Sequence, residues 1–178
     1  MACAGNFKDA GLEYTGALKV LQMIFSYEYL WIQIRVKGGA YGCMCSFSDQ
    51  GDSMFVTYRD PNLSESYKVY DEAADYVVDF DADDRDMKKY IIGTIGSMDM
   101  PMEAVDMGAR SFHAYFLDKT EADLQKVRDQ VLSCTQEDIR ALAPIVKAVV
   151  EAGNRCCIGN EEKIDQNKEY FDEVKHVL

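Results

Sequence analysis

Arg35 and Tyr41 are the residues whose types and placement could do chemistry without a nucleophile of their own. They open and punctuate the stretch "RVKGGAYGCMCSF", residues 35–47, in which Gly38 and Gly39 separate a helix-like pattern from a strand-like one. Two readings of the pair stay open on the residues alone. In one, the arginine complements the negative C-terminal end of a helix and the tyrosine simply starts a strand. In the other, guanidinium and phenol project to one surface and donate hydrogen bonds to a peptide carbonyl or a developing oxyanion.

Other constellations carry less. His113 and His176 are the two histidines, and neither lies in HExxH or HxxEH, so the chain is expected to contain no zinc protease site of its own. In "DFDADDRD", Asp79, Asp81 and Asp83 match the first ligand positions of a calcium loop. The glycine that such a loop needs at its sixth position is Asp84, and the glutamate needed at the twelfth is Tyr90. A solvated turn that caps the next helix fits better. "GGAYG" follows a helix and carries no GK[ST], which argues against a phosphate cradle. Asn62-Leu63-Ser64 matches a glycosylation sequon, of consequence only in a secreted protein and otherwise a turn and helix cap. The six cysteines, Cys3, Cys43, Cys45, Cys134, Cys156 and Cys157, form no CxxC and are expected to be reduced, buried, small apolar residues.

Composition bounds the function classes. With 178 residues, 48% of them apolar, a single domain over residues 1–178 with one core is expected. A formal net charge of -12 opposes binding to nucleic acid or to an anionic membrane through bulk electrostatics. No apolar run approaches a membrane span, and "MACAGNFKDAGLEY" lacks the features of a signal peptide, which suggests a cytoplasmic protein.

The elements that would position Arg35 and Tyr41 follow from periodicity. Residues 15–34, "TGALKVLQMIFSYEYLWIQI", are apolar on nearly every side and predict a central helix covered all round. Residues 40–59 predict a β-hairpin, with Tyr41, Cys43, Cys45 and Phe47 alternating against Gly42, Met44 and Ser46 and a loop containing Gly51. A helix capped by Ser64 should present Tyr67, Tyr70, Ala74, Val77 and Val78, and another from about Asp83 should carry Met87, Tyr90, Ile91, Ile95 and Met98. Pro101 interrupts, and a further helical segment is expected over residues 106–117. Thr120 with Asp123, and Thr135 with Asp138, predict capping boxes that start two more helices, the second ending at Gly153. "NRCCIG" reads as a short buried strand before a last amphipathic stretch through Phe171, Val174 and Val177. The order predicts an α+β two-layer sandwich, a mainly antiparallel sheet covered by helices on one face. Three strands make a narrow sheet, so at least one more is expected upstream of the chain; the edge left open would invite pairing between two copies.

The stretch "EYTGALKVLQMIFSYEYLWIQIRVKGGAYGCMCSFSDQGDSMFVTYRDPNL", with "DDRDMKKYIIGTIGSMDMP" and "RCCIGNEEKI" downstream, resembles the C-terminal half of the presequence-protease branch of the insulinase-like (M16) zinc metallopeptidases. The resemblance implies a LuxS/MPP-like metallohydrolase half-domain. It also implies a clamshell of two homologous halves around an unfolded peptide, with zinc bound by HxxEH in the N-terminal half of the same polypeptide. This chain would be an excised C-terminal domain, inactive alone. Arg35 and Tyr41 match the arginine and tyrosine that reach the active site from the opposite wall, where they bind substrate and stabilise the oxyanion. Gly38 and Gly39 would complete the substrate-binding turn. A rival reading is a catalytically inactive relative that serves as a peptide-binding or assembly subunit.

Overall fold

The computed structural model describes residues 1–176. Strand β1 (Ala2–Asn6) leads through a 3-10 turn into α1 (Ala17–Ile24), and the same helix runs on in π-helical turns over Phe25–Tyr29 and Trp31–Lys37. Strands β2 (Gly42–Phe47) and β3 (Asp52–Tyr58) form the expected hairpin. Then come α2 (Leu63–Asp71), α3 (Ala73–Val78), α4 (Asp84–Met98), α5 (Ala104–Phe116), α6 (Glu121–Leu132), α7 (Gln136–Arg140) and α8 (Ala143–Glu151). Strand β4 (Asn154–Cys156) and the short α9 (Glu161–Asp165) follow.

The result is the α+β sandwich that the element order predicts, but among the described residues the sheet has four strands, in the order β2-β3-β1-β4, each pairing antiparallel. The additional strand, β1, is central, and the sequence hides it because "ACAGN" has little β-propensity. Its small residues answer to close packing: a Cβ on Gly5 would stand 2.7 Å from the carbonyl oxygen of Val149 in α8. Strand β1 therefore fills the place between β3 and β4, and among the described residues the sheet ends at β2 and β4.

Period-two alternation divides the sheet. Cys3, Cys45, Phe47 and Phe55 are buried beneath the helices, while Met44, Met54 and Tyr58 stand exposed on the other face. Phe25 anchors the helical layer, with ring centroids of Phe55 at 5.7 Å and Phe47 at 6.4 Å.

Both capping boxes form, each threonine accepting from the backbone N–H of its aspartate and each aspartate accepting from the backbone N–H of its threonine. Asp83 caps α4 as expected. Four local expectations need correction. Asn62, not Ser64, is the N-cap of α2, because the helix begins two residues earlier. The last long helical run breaks into α7 and α8 around Ala141 and Leu142 ahead of Pro144, which sits in the first turn of α8. Strand β4 is mostly exposed rather than buried, since it forms an edge of the sheet, and Cys156 is exposed with it while Cys3, Cys45 and Cys134 are buried. The long helix is not covered all round: Tyr27, Trp31 and Val36 reach solvent. Toward the C-terminus Phe171 packs edge-on to Tyr67 at 6.1 Å, and Val177 lies outside the described residues.

Candidate functional site

The turn between helix and hairpin is fixed by backbone hydrogen bonds. Gly38 N–H donates to Gln33 O at 3.1 Å, Gly39 N–H to Arg35 O at 3.0 Å, and Ala40 N–H to Ile34 O at 3.1 Å. The two glycines are needed for different reasons. A Cβ at Gly38 would lie 2.6 Å from the Ile34 carbonyl oxygen, so the turn has no space for one. Gly39 has φ of 77°, the left-handed conformation in which a side chain costs energy. Asn62 Nδ2 donates to Gly38 O at 2.5 Å and ties the turn to the start of α2.

Arg35 leaves the last helical turns half-buried, its guanidinium carbon 3.9 Å from the centroid of the Trp31 ring. Its charge reaches strand β2: burial pushes the Cys43 thiol up, Arg35 pulls it down, and Asp60 pushes it up again, leaving it raised. Tyr41 precedes that strand, 64% exposed. Its N–H donates to Arg59 O at 3.2 Å, and its ring stands edge-on to Tyr58 at 5.7 Å. The Arg59 guanidinium lies 5.6 Å from the Tyr41 ring and 5.2 Å from Tyr58, on a backbone with φ of 48°.

Arg35 and Tyr41 thus share one turn at one end of β2, and each is steadied by different aromatic partners. The side-chain hydrogen bonds of the turn run from Lys37 Nζ to Gln33 Oε1, at 3.1 Å, and from Asn62 to Gly38; among the described residues neither Arg35 nor the Tyr41 hydroxyl takes part in one. Two donors therefore remain available at the surface. Trp31, Arg59 and Asn62 went unrecognised in the sequence as supports of this pair. The signal that could have found Trp31 is its spacing from Arg35, which puts both on one line of a helix.

Among the described residues no metal centre accompanies the pair. His113 is exposed on α5, and His176 is exposed near Glu161, 3.6 Å away. The described residues contain no group of three or more His, Cys, Asp or Glu side chains placed to hold an ion, so they do not fit a zinc site.

Comparison with known proteins bears on the whole chain. Residues 1–160 match the family model described as PreP C-terminal domain. Protein HypA of Clostridium perfringens is 41% identical over 178 residues, covering 100% of this chain and 18% of that protein. Presequence protease 1, chloroplastic/mitochondrial, of Arabidopsis thaliana is 33% identical over 179 residues, covering 98% of this chain and 17% of that protein. The mitochondrial presequence protease of Aspergillus fumigatus is 34% identical over 149 residues, covering 82% and 13%. The chain spans less than a fifth of the length of these relatives. Relatives named for mitochondria or chloroplasts overturn the expectation of a cytoplasmic protein, because the lack of a leader in so small a share of the whole carries no information about compartment.

Proposed function

Since the chain belongs to the PreP C-terminal domain family, we propose that it is the substrate-wall domain of a zinc-dependent endopeptidase that hydrolyses unfolded peptides. The N-terminal half of the same polypeptide holds the zinc and is its main partner. The observation that carries this reading is the pair of unengaged donors, Arg35 and Tyr41, presented on a turn whose backbone is fixed by Gly38 and Gly39.

The chemistry of this wall is electrostatic. As a peptide carbonyl becomes tetrahedral, its oxygen gains negative charge, and a guanidinium and a phenol donating to that oxygen bind it more tightly than the ground state. Trp31 limits the rotation of the Arg35 guanidinium, and Tyr58 with Arg59 limits that of the Tyr41 ring, so less ordering remains for the moment of reaction. Gly38 and Gly39 keep the backbone low enough for an extended peptide to pass across the turn.

In the full-length enzyme, Arg35→Ala and Tyr41→Phe should each lower kcat for a fluorogenic peptide on the order of 100-fold, the loss typical of one oxyanion donor, with zinc content unchanged. Unchanged turnover in both variants would remove the assigned role. A full-length protein that holds zinc and binds peptide yet cleaves none would make this chain part of an inactive peptide-binding subunit.

A further inference from the structure

At the opposite end of β2 from Tyr41, the hairpin loop, α1, α4, α6 and the loop after α5 enclose a groove of about 490 Å³. Three cations from separate elements converge on it: Lys19 of α1, Arg110 of α5 and Lys119 of the α5–α6 loop. A single carboxylate, Asp49, faces them. It is paired with Lys119; burial pushes its carboxyl up, but the Lys119 bond and charge, with help from Gln50 and Lys19, hold it below the ordinary range.

That pairing leaves two charges over. Among the described ion pairs neither Lys19 nor Arg110 has a carboxylate partner, and the Arg110 Nη1 contact is the Met102 sulfur at 3.8 Å. Lys19 is half-buried; burial pushes its ammonium down, Asp49 pulls it up, and Lys119 and Arg110 push it down. The rest of the lining is largely apolar, with Phe47, Met98, Leu124 and Val127 contributing. In a chain of net charge -12, cations gathered in an apolar recess without matching acids make a local positive site, and an entering anion relieves their mutual repulsion.

We propose that this groove binds a ligand with a free carboxylate on an apolar body, the carboxylate between Lys19 and Arg110 and the body against Met98 and Leu124. A volume of this size accepts a molecule of some ten to thirty heavy atoms, roughly the range of small-ligand pockets. Free medium-chain acids and the C-terminal residues of apolar peptides present the same chemistry. The site is distinct from the Arg35–Tyr41 turn, and its existence does not depend on the peptidase reading.

Titration calorimetry of the 178-residue chain with octanoate, with N-acetyl-leucyl-phenylalanine and with the amide of that dipeptide tests it directly. At least one of the two acids should bind saturably, and the dipeptide amide should bind at least about tenfold more weakly than the dipeptide acid if the dipeptide binds, a loss of about 1.4 kcal/mol for removal of the charge. Lys19→Met should weaken the acid about tenfold and Lys19→Arg should preserve it. Tighter binding of octanoate would identify a free acid as the source, and tighter binding of the dipeptide acid a peptide C-terminus. No saturable heat with either acid, equal binding of dipeptide acid and amide, or binding unmoved by Lys19→Met would overturn the site. If Lys19→Met fails to fold, Arg110→Gln on the exposed helix α5 replaces it with the same expectation. Loss of binding in the full-length polypeptide would also overturn it, since the groove would then be an internal contact.

Discussion

In α1, Leu18, Val20, Leu21 and Ile24 are fully buried and the backbone keeps α-helical spacing; in the π-helical turns that continue it, Phe25, Tyr29, Leu30 and Ile34 stay buried on one face while Tyr27, Trp31 and Val36 face solvent and Arg35 is half-exposed on the other. The two halves are one rod made of similar apolar residues, and the difference lies in backbone geometry and in what covers them. A π turn widens the helix and takes its faces out of the 3.6-residue register, so the covered line runs through Phe25, Tyr29, Leu30 and Ile34 and the open line through Tyr27, Trp31 and Val36. The buried face of both halves supplies the stability that lets the open face hold Trp31 and Arg35 in solvent. Phe25 stands at the junction, fully buried, with rings of Tyr29, Phe47, Phe55 and Tyr76 between 5.6 and 6.4 Å. Phe25→Ala should therefore cost about 3–5 kcal/mol in urea unfolding of the chain, the largest effect expected anywhere along this helix. A loss below about 1 kcal/mol would show that the two halves do not differ in how they are anchored.

The same contrast explains what could be read in advance. The hairpin, the capping boxes at Thr120 and Thr135 and the start of α4 at Asp83 were legible because each is written within a few residues, as alternation or as a side chain bonded to its own backbone. The turn that carries Arg35 and Tyr41 was legible for the same reason, because Gly38 and Gly39 mark the passage from helix to hairpin, whereas the chemical role of the pair rests on the proposal above. Strand β1 was not, since "ACAGN" becomes a central strand only through the close seat of α8 on Gly5. The π turns were not legible either: a segment apolar on every side gives no sign of which face will be covered. Asn62 was read as a turn residue, and its bond to Gly38 spans 24 positions. Gly39→Ala breaks the local half of this reading, because a left-handed residue with a Cβ costs about 1–2 kcal/mol. Gly39→Asn, which tolerates that conformation, should recover about half of the loss. Equal stability of all three proteins would mean that the turn relaxes and fixes neither side chain.

The smallest effect separates the exposed half of the helix from mere surface. Trp31 and Arg35 are in contact at 3.9 Å, and Trp31 is 38% exposed, so the cation–ring attraction acts partly in water. A double-mutant cycle of Trp31→Ala with Arg35→Ala, read by urea unfolding, should give a coupling of about 0.5–1 kcal/mol. Salt should change it little compared with an exposed ion pair such as Lys68–Glu72, whose 3.7 Å contact is between two well-exposed groups. The coupling matters more for order than for stability. A guanidinium stacked on a ring keeps its plane while its N–H groups point outward, which is the state a donor needs before a carbonyl arrives. Trp31→Phe should retain part of the coupling and Trp31→Leu almost none, because an aliphatic side chain offers burial without a negative ring face. If Leu and Phe prove equivalent, Trp31 serves only as cover for the helix, and the distinction between a buried face that stabilises and an open face that positions Arg35 is lost.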